Sequence, residues 1–304
     1  MSSPDKGRLS GLLNLEKPSG VTSRDVVDLI SRPLRKVKVG HAGTLDPLAS
    51  GVLVVCVGAA TRLIEYVQRM PKAYRTVVRL GARSDTLDAD GQIEIEANPR
   101  IPSLDEVLAA LASQIGLIEQ IPPQFSALKV EGRRAYDLAR SGQAVELAAR
   151  PVRVDRVDLI SYEWPRLEFT VDCGSGTYIR SIARDVGEIL GCGGLIEVLI
   201  RTRIGPFLQS EAIDPTGLPI ETILNGLRPS LDALGELTRV AITNEQVEAV
   251  LMGKGLSAER IPGTFETRSE VALVGPDGAL VAVAEVTPHG SIQPRRVLAT
   301  ASPS

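Results

Sequence analysis

Cysteine and histidine are scarce in this chain of 304 residues, and each scarcity excludes a class of site. The three cysteines, Cys56, Cys173 and Cys192, are widely separated and form no Cys-x-x-Cys pair. They read as small core residues, not as metal ligands or disulfide partners. His41 and His289 are the only histidines, so a structural zinc site is not expected. Long apolar runs are missing too: no stretch reaches eighteen apolar residues without a charge, which argues against a membrane span. The opening Met-Ser-Ser-Pro-Asp-Lys-Gly-Arg lacks the apolar core of a signal peptide, and a cytoplasmic protein is the expectation.

An overall excess of basic charge is also lacking. The net charge is -3 and the sequence pI is near 5.6, whereas phosphate binding needs a local surplus of Lys and Arg. Distribution matters more than the total. The opening quarter carries Lys6, Arg8, Lys17, Arg24, Arg32, Arg35, Lys36, Lys38, Arg62, Arg69, Lys72 and Arg75 against far fewer acids, while the C-terminal third leans acidic. A basic RNA face is therefore compatible with the acidic pI, although the same charges suit an ordinary solvated surface.

What is present is globular material, 43% apolar over a length beyond one compact domain, so two domains of unequal size are expected. Residues 12–15 read as a short strand, and residues 22–31 as a helix capped by Thr22 or Ser23, with Val26, Val27 and Ile30 on one face and Pro33 at its end. The valine-rich run 51–57 suits a strand buried on both faces. Ala60, Leu63, Ile64 and Val67 mark an amphipathic helix, and 73–80 a further strand. Ser103 and Glu106 form a capping box before Val107, Leu108 and Leu111, with the helix stopping near Gly116. Leu167, Phe169, Val171 and Cys173 alternate with polar residues in a strand that leads through Gly174-Ser175-Gly176 into a helix whose apolar face carries Ile179, Ile182, Ala183, Val186, Ile189 and Leu190. Residues 122–142 mix turn formers with Lys129, Arg133, Arg134 and Arg140, as a protruding RNA-binding element would; a plain surface hairpin and helix fits equally. After about Leu237 short strands dominate, with Gly275-Pro-Asp-Gly as a turn, giving a small β-rich domain.

One carboxylate stands out. Gly40-His-Ala-Gly-Thr-Leu-Asp-Pro-Leu-Ala-Ser-Gly-Val-Leu places Asp46 in a glycine-rich loop, before a proline and just ahead of a buried strand. Pro47 disfavours the helical conformation for Asp46, which holds the acid at the loop rim. An isolated Asp-Pro reads more simply as the start of a turn.

This loop resembles the catalytic motif of the pseudouridine synthases, and the chain is similar to the bacterial tRNA pseudouridine-55 synthase (TruB-type) family in five segments. They are Leu-Asn-Leu-Glu-Lys-Pro-Ser-Gly-Val-Thr-Ser at 13–23, the Asp46 loop, Lys-Ala-Tyr-Arg at 72–75, Pro-Pro-Gln-Phe-Ser-Ala-Leu-Lys-Val at 122–130 and Gly-Thr-Tyr-Ile-Arg at 176–180. Their order is that of the family, and together they cover most of residues 10–206. The resemblance implies an α/β (α+β) fold: a catalytic domain over 8–236 with a central antiparallel mixed sheet and a thumb inserted at about 122–150, then a PUA-like RNA-binding domain over 237–304. It implies isomerisation of uridine 55 in the T-arm of tRNA, with no cofactor, metal or membrane; nothing in the sequence demands more than a monomer.

The reaction breaks the N-glycosidic bond, turns the uracil in place and rejoins C5 to the ribose without an external reactant. An ionised carboxylate can serve as nucleophile, base or stabiliser of a sugar with oxocarbenium character. Attack on the sugar, attack on the uracil ring and abstraction of a sugar proton all stay open for Asp46. Desolvation favours the protonated acid, so a cationic partner is expected. The family's pairing implies Arg180, which helix periodicity puts off the apolar face. Flipping the base costs a few kcal/mol. The resemblance implies that Tyr74 stacks on the flipped base, a contact worth about 1–3 kcal/mol, and later moves a proton. By the same resemblance His41 fills the space that the base vacates. The resemblance further implies that Tyr178 lines the nucleotide pocket, that Leu199 touches the substrate, and that Lys17 and Lys129 complete the binding set. Taken alone, Tyr74 and Leu199 also suit the core. A glycoside hydrolase would need two carboxylates, and no second acid offers itself in the matching segments. An RNA-binding or RNA-folding protein is the other alternative, and T-arm folding activity is compatible with catalysis.

Overall fold

The computed structural model describes residues 9–125, 129–130, 133–134 and 147–298. Its main feature is a nine-stranded mixed sheet whose spine runs Gly11–Lys17, Ser50–Val57, Gly194–Ile204, Lys72–Leu80, Arg166–Cys173, Arg150–Glu163, Gly116–Gln120. Val39–His41 adds to Ser50–Val57, and Phe207–Leu208 adds to Gly194–Ile204. Neighbours pair antiparallel except Ser50–Val57 and Gly194–Ile204, which pair parallel with Ile200 facing Ser50 and Arg201 facing Gly51.

Ser50–Val57 is buried on both faces, as its unbroken apolar run requires. Val52, Val54 and Cys56 point into one apolar cluster, while Leu53, Val55 and Val57 enter another beneath the helix Ser23–Ser31. That helix starts at a capping box in which the Thr22 hydroxyl accepts from Asp25 N–H and the Asp25 carboxylate accepts from Thr22 N–H. Val26, Val27 and Ile30 then face Leu13, Leu15 and Leu53. Further along the sheet, Tyr74, Val78, Phe169, Val171 and Leu199 pack against Val107 and Leu111 of the helix Leu104–Ala112 and against Ile182 and Val186 of the helix Ile179–Ile189.

Several elements differ from the sequence expectation. The amphipathic helix around Ala60 begins as a tighter 3-10 turn, Gly58–Leu63, before a short helix Ile64–Arg69. Gly58 opens that turn at φ +61, where an added Cβ would sit 1.8 Å from the Leu9 carbonyl oxygen. Gly116 does not merely follow a helix end but opens the edge strand Gly116–Gln120. Ile189, expected on the apolar face of its helix, is exposed at the helix end, while the next residue, Leu190, is buried in the core. All three cysteines are buried and free.

A second sheet, order Arg239–Ala241, Glu270–Val274, Leu280–Val286, Ser291–Val297, Leu256–Ser257, forms the C-terminal part. One set of its apolar residues, including Val240, Val271 and Val281, makes a separate core. Another set, Ala272, Leu280, Val283 and Leu298, joins Leu12, Val52 and Val54 of the main sheet. Of the expected thumb, the short hairpin Lys129–Val130 with Arg133–Arg134 and the ends next to the sheet are described; the rest lies outside the described residues. No helix among the described residues is long and apolar enough to cross a membrane.

Candidate active site

The loop that carries Asp46 is tied down at almost every residue. Ala42 N–H donates to the Val54 carbonyl at 2.8 Å, and Ala49 N–H donates to the Asp46 carbonyl at 3.1 Å, closing a turn around Pro47. Ser23, buried at the start of its helix, brackets Leu45: its Oγ accepts from Leu45 N–H at 2.9 Å and donates to the Leu45 carbonyl at 3.1 Å. Lys17 lies beneath the loop, donating from Nζ to the carbonyls of Ala49 at 2.5 Å, Pro18 at 2.9 Å and Pro47 at 3.3 Å. Burial pushes the Lys17 ammonium down to about 8, with the Asp46 charge acting the other way. Lys17 was expected to touch substrate. The structure encloses it and gives it backbone carbonyls as partners, so it supports the loop from below.

Asp46 stands at the rim, its side chain 38% exposed, with Oδ2 3.0 Å from Nη2 of Arg180. Arg180 is the second residue of the helix Ile179–Ile189 and is buried. It leaves the apolar face as periodicity predicts, yet it meets the Asp46 loop instead of water. Nη2 also donates to the Phe125 carbonyl and Nη1 to the Thr86 carbonyl, both at 2.8 Å. Nη1 is 3.3 Å from Oδ2 of Asp88, which is buried.

A second acid, Asp88, stands beside this pair, although none offers itself in the matching segments. It comes from the segment 81–91, outside the five matching stretches, and arrives through backbone bonds between its loop and the strand Gly194–Ile204: Ala89 N–H to the Ile196 carbonyl at 2.9 Å and Ile196 N–H to the Leu87 carbonyl at 3.1 Å. Its Oδ1 accepts from the Thr86 hydroxyl at 2.5 Å and from Asp90 N–H at 3.2 Å. Burial pushes the Asp88 carboxyl up, while the Thr86 hydrogen bond and the Arg180 charge pull it down. Both carboxylates are thus held by one guanidinium, and only Asp46 reaches the solvent side.

The start of the Arg180 helix is fixed from the neighbouring edge strand. Gln120, buried, accepts from Tyr178 N–H at 2.8 Å and donates from Nε2 to the Tyr178 carbonyl at 3.1 Å. The Arg150 guanidinium lies 5.2 Å from the centre of the Tyr178 ring. Ser181 Oγ donates to the Ile121 carbonyl at 2.8 Å, so the residue that follows the edge strand is joined to the first turn of the helix.

Tyr74 and Leu199 are buried in the apolar cluster that includes Leu45 and Ala49 of the loop. Burial pushes the Tyr74 phenol up. His41 is half-buried at the end of Val39–His41, opposite Val55. The side chain of Lys129 lies outside the described residues. The structure therefore gathers Asp46, Arg180, Tyr74, Leu199 and Lys17 around one loop, with Tyr178 at the adjoining helix start. Asp88, Gln120 and Ser23 escaped the sequence reading, as did Arg201, whose guanidinium donates to the loop carbonyls of Gly43 and Thr44. Among the described residues, no group of three or more His, Cys, Asp or Glu is arranged to hold a metal ion.

Residues 31–179 match the TruB family pseudouridylate synthase (N terminal domain). The chain is 38% identical over 295 residues to the tRNA pseudouridine synthase B of Aromatoleum aromaticum, covering 96% of this chain and 94% of that one. It is 41% identical over 286 residues to the tRNA pseudouridine synthase B of Mycobacterium sp. (strain KMS), covering 92% and 93%. Among solved structures, a crystal structure of a Cbf5-Nop10-Gar1 complex superposes with a TM-score of 0.74 at 25% identity, over 99% of this chain and 92% of that chain. With identity of this order sustained along almost the whole length, the chain belongs to the TruB family of pseudouridine synthases.

Proposed function

We propose that this pseudouridine synthase isomerises uridine 55 in the T-arm of tRNA and that Asp46 is the carboxylate that reacts. The observation that carries the reading is the 3.0 Å pair between Asp46 and a buried Arg180. Arg180 is itself fixed by Asp88 and by two backbone carbonyls. A carboxylate that is partly exposed but anchored on one oxygen keeps the other free for the nucleotide. Tyr74 stacks on the flipped uracil, Tyr178 and Leu199 line the pocket, His41 occupies the vacated stack, and Lys129 meets the RNA backbone from the thumb over about 122–150. Lys17 acts from beneath as a loop support. The sheet that follows residue 237 serves as a PUA-like RNA-binding domain, and the enzyme works as a monomer in the cytoplasm.

The test is incubation with an unmodified tRNA transcript followed by mapping of pseudouridine. Wild-type protein places it at position 55, and Asp46→Asn binds the transcript with nearly unchanged affinity but forms no pseudouridine. Turnover by Asp46→Asn, or modification elsewhere in the transcript, rejects the assignment.

A further inference from the structure

Arg201 has no part in the mechanism above, yet three backbone features direct it into the floor of the site. It faces Tyr74 across the antiparallel pair and Gly51 across the parallel pair. The register slips between Arg201 and Arg203, a bulge of the kind that re-aims a side chain. Gly51, at φ +102, lets the strands approach so closely that a Cβ there would lie 2.3 Å from the Arg201 carbonyl oxygen.

The side chain is 2% exposed. Its Nε donates to the Val52 carbonyl at 2.8 Å, Nη2 to the Gly43 carbonyl at 3.1 Å and Nη1 to the Thr44 carbonyl at 3.4 Å. The guanidinium also lies close enough to Tyr74, its partner across the antiparallel pair, to draw the phenol down against the upward push of burial. None of these acceptors is a carboxylate; burial pushes the Arg201 guanidinium down, and Tyr74 and then Asp46 act the other way. Stability alone would be served as well by an apolar side chain of similar volume, so an enclosed cation here calls for another use.

Resting on the reading of Asp46 as the reacting carboxylate, we propose that Arg201 is a positioning residue for the reaction, one rigid fork that holds the Asp46 loop and the Tyr74 hydroxyl in a single frame. Gly43 and Thr44 lie just before Asp46 in the loop, and Tyr74 lies on the neighbouring strand. A planar guanidinium can hold both at once; the three donors of a lysine ammonium radiate from a single point and cannot span the same acceptors.

The test uses the full chain, an unmodified tRNA transcript and five proteins: wild type, Asp46→Asn, Arg201→Lys, Tyr74→Phe and the Arg201→Lys/Tyr74→Phe double variant. Single-turnover pseudouridine formation, transcript affinity and thermal unfolding are measured for each. Arg201→Lys is expected to bind the transcript within about twofold of wild type and to form pseudouridine about tenfold or more slowly, the size of loss that misplacing a reacting group brings. That loss should shrink severalfold when Tyr74 is already phenylalanine, because residues acting as a unit are not additive. An unchanged rate, or the same factor lost in both backgrounds, overturns the proposal. An active Asp46→Asn, or a wild type that forms no pseudouridine, overturns the reading of Asp46 and the proposal with it. Should Arg201→Lys fail to fold, the Arg201 Nε–H resonance in wild type and Tyr74→Phe decides. A solvent-protected signal that shifts when the hydroxyl is removed supports the frame, and an unmoved signal overturns it.

Discussion

Asp88 holds Arg180 through one terminal nitrogen while Asp46 holds it through the other. The two acids differ in access: the Asp88 side chain is enclosed, and that of Asp46 is open at the rim. If Asp46 is the reacting carboxylate proposed above, Asp88 acts on the reaction through Arg180. Asp88→Asn keeps the shape and removes the charge, leaving the guanidinium free to shift toward Asp46. Pseudouridine formation should fall about ten- to a hundredfold with tRNA affinity unchanged, in line with the cost of displacing a reacting group by about 1 Å. Single-turnover assays beside a binding titration check this, and an equal loss in both would mean that Asp88 serves folding alone. The pair of Asp46 and Arg180 was legible in the sequence because each stands in a long, distinctive segment at a characteristic spacing. Asp88 was not, since Asp85, Asp88 and Asp90 crowd one polar loop and no periodicity singles out the acid that turns inward. Arg201 was hidden for another reason: charged residues in a strand are assigned to the solvent face by default, and the bulge that reverses this has no composition of its own.

At the level of elements, the helix bearing Arg180 lies close enough to the strand Gly194–Ile204 that only glycine fits between them. A Cβ on Gly187 would stand 2.3 Å from the carbonyl carbon of Gly193 and from the amide nitrogen of Gly194. Alanine ordinarily stabilises a helix interior by about 1 kcal/mol over glycine. Here Gly187→Ala should instead destabilise the protein by about 2 kcal/mol or more, because the clash is with backbone that cannot yield. Denaturant midpoints would show the sign directly. Cys56, in the strand Ser50–Val57, adds a pH dependence: burial pushes its thiol up to about 12 from an ordinary value of 9.0. A group raised in this way contributes its full stability below the unfolded value and loses it as pH climbs toward the folded one. Wild-type stability should therefore fall between about pH 9 and 12, by about 2 kcal/mol at pH 10.5 from this thiol. Cys56→Ala, weaker at neutral pH by the lost packing, should show a flatter curve over the same range in urea titrations. Elements with regular patterns are readable from the amino-acid sequence alone, as the capping boxes at Thr22 and Ser103 and the run 51–57 demonstrate. Gly116–Gln120 and Arg150–Glu163 are not. Leu117 points to solvent at a sheet edge, and much of the long strand is exposed, so neither carries the alternation that announces a half-buried strand.

Across the whole molecule, the two sheets share an apolar cluster in which Leu12, Val52 and Val54 meet Ala272, Val283 and Leu298. Above it, Arg296 donates to the Tyr66 hydroxyl at 2.6 Å, pairs with Glu65 at 2.7 Å and lies 4.9 Å from the centre of the Tyr66 ring. The Tyr66 hydroxyl donates in turn to Glu270 at 2.7 Å. Sheets joined only through a flexible linker would keep two independent cores; a shared core couples them. Calorimetry should accordingly show one cooperative transition for the full chain, with van 't Hoff and calorimetric enthalpies in agreement, and two resolved transitions would contradict the coupling. The polar cap is the weaker partner in that junction. Its ion pair is partly exposed and worth about 0–1 kcal/mol, and the ring contact adds about 0.5–1 kcal/mol. Arg296→Ala should thus cost only about 1 kcal/mol and leave the single transition intact. Replacing Val283 by Asp, which puts an unpaired charge into the shared cluster, should cost several kcal/mol and lower the melting of both sheets together. If the C-terminal sheet alone melted early in that variant, its fold would be independent of the catalytic sheet after all.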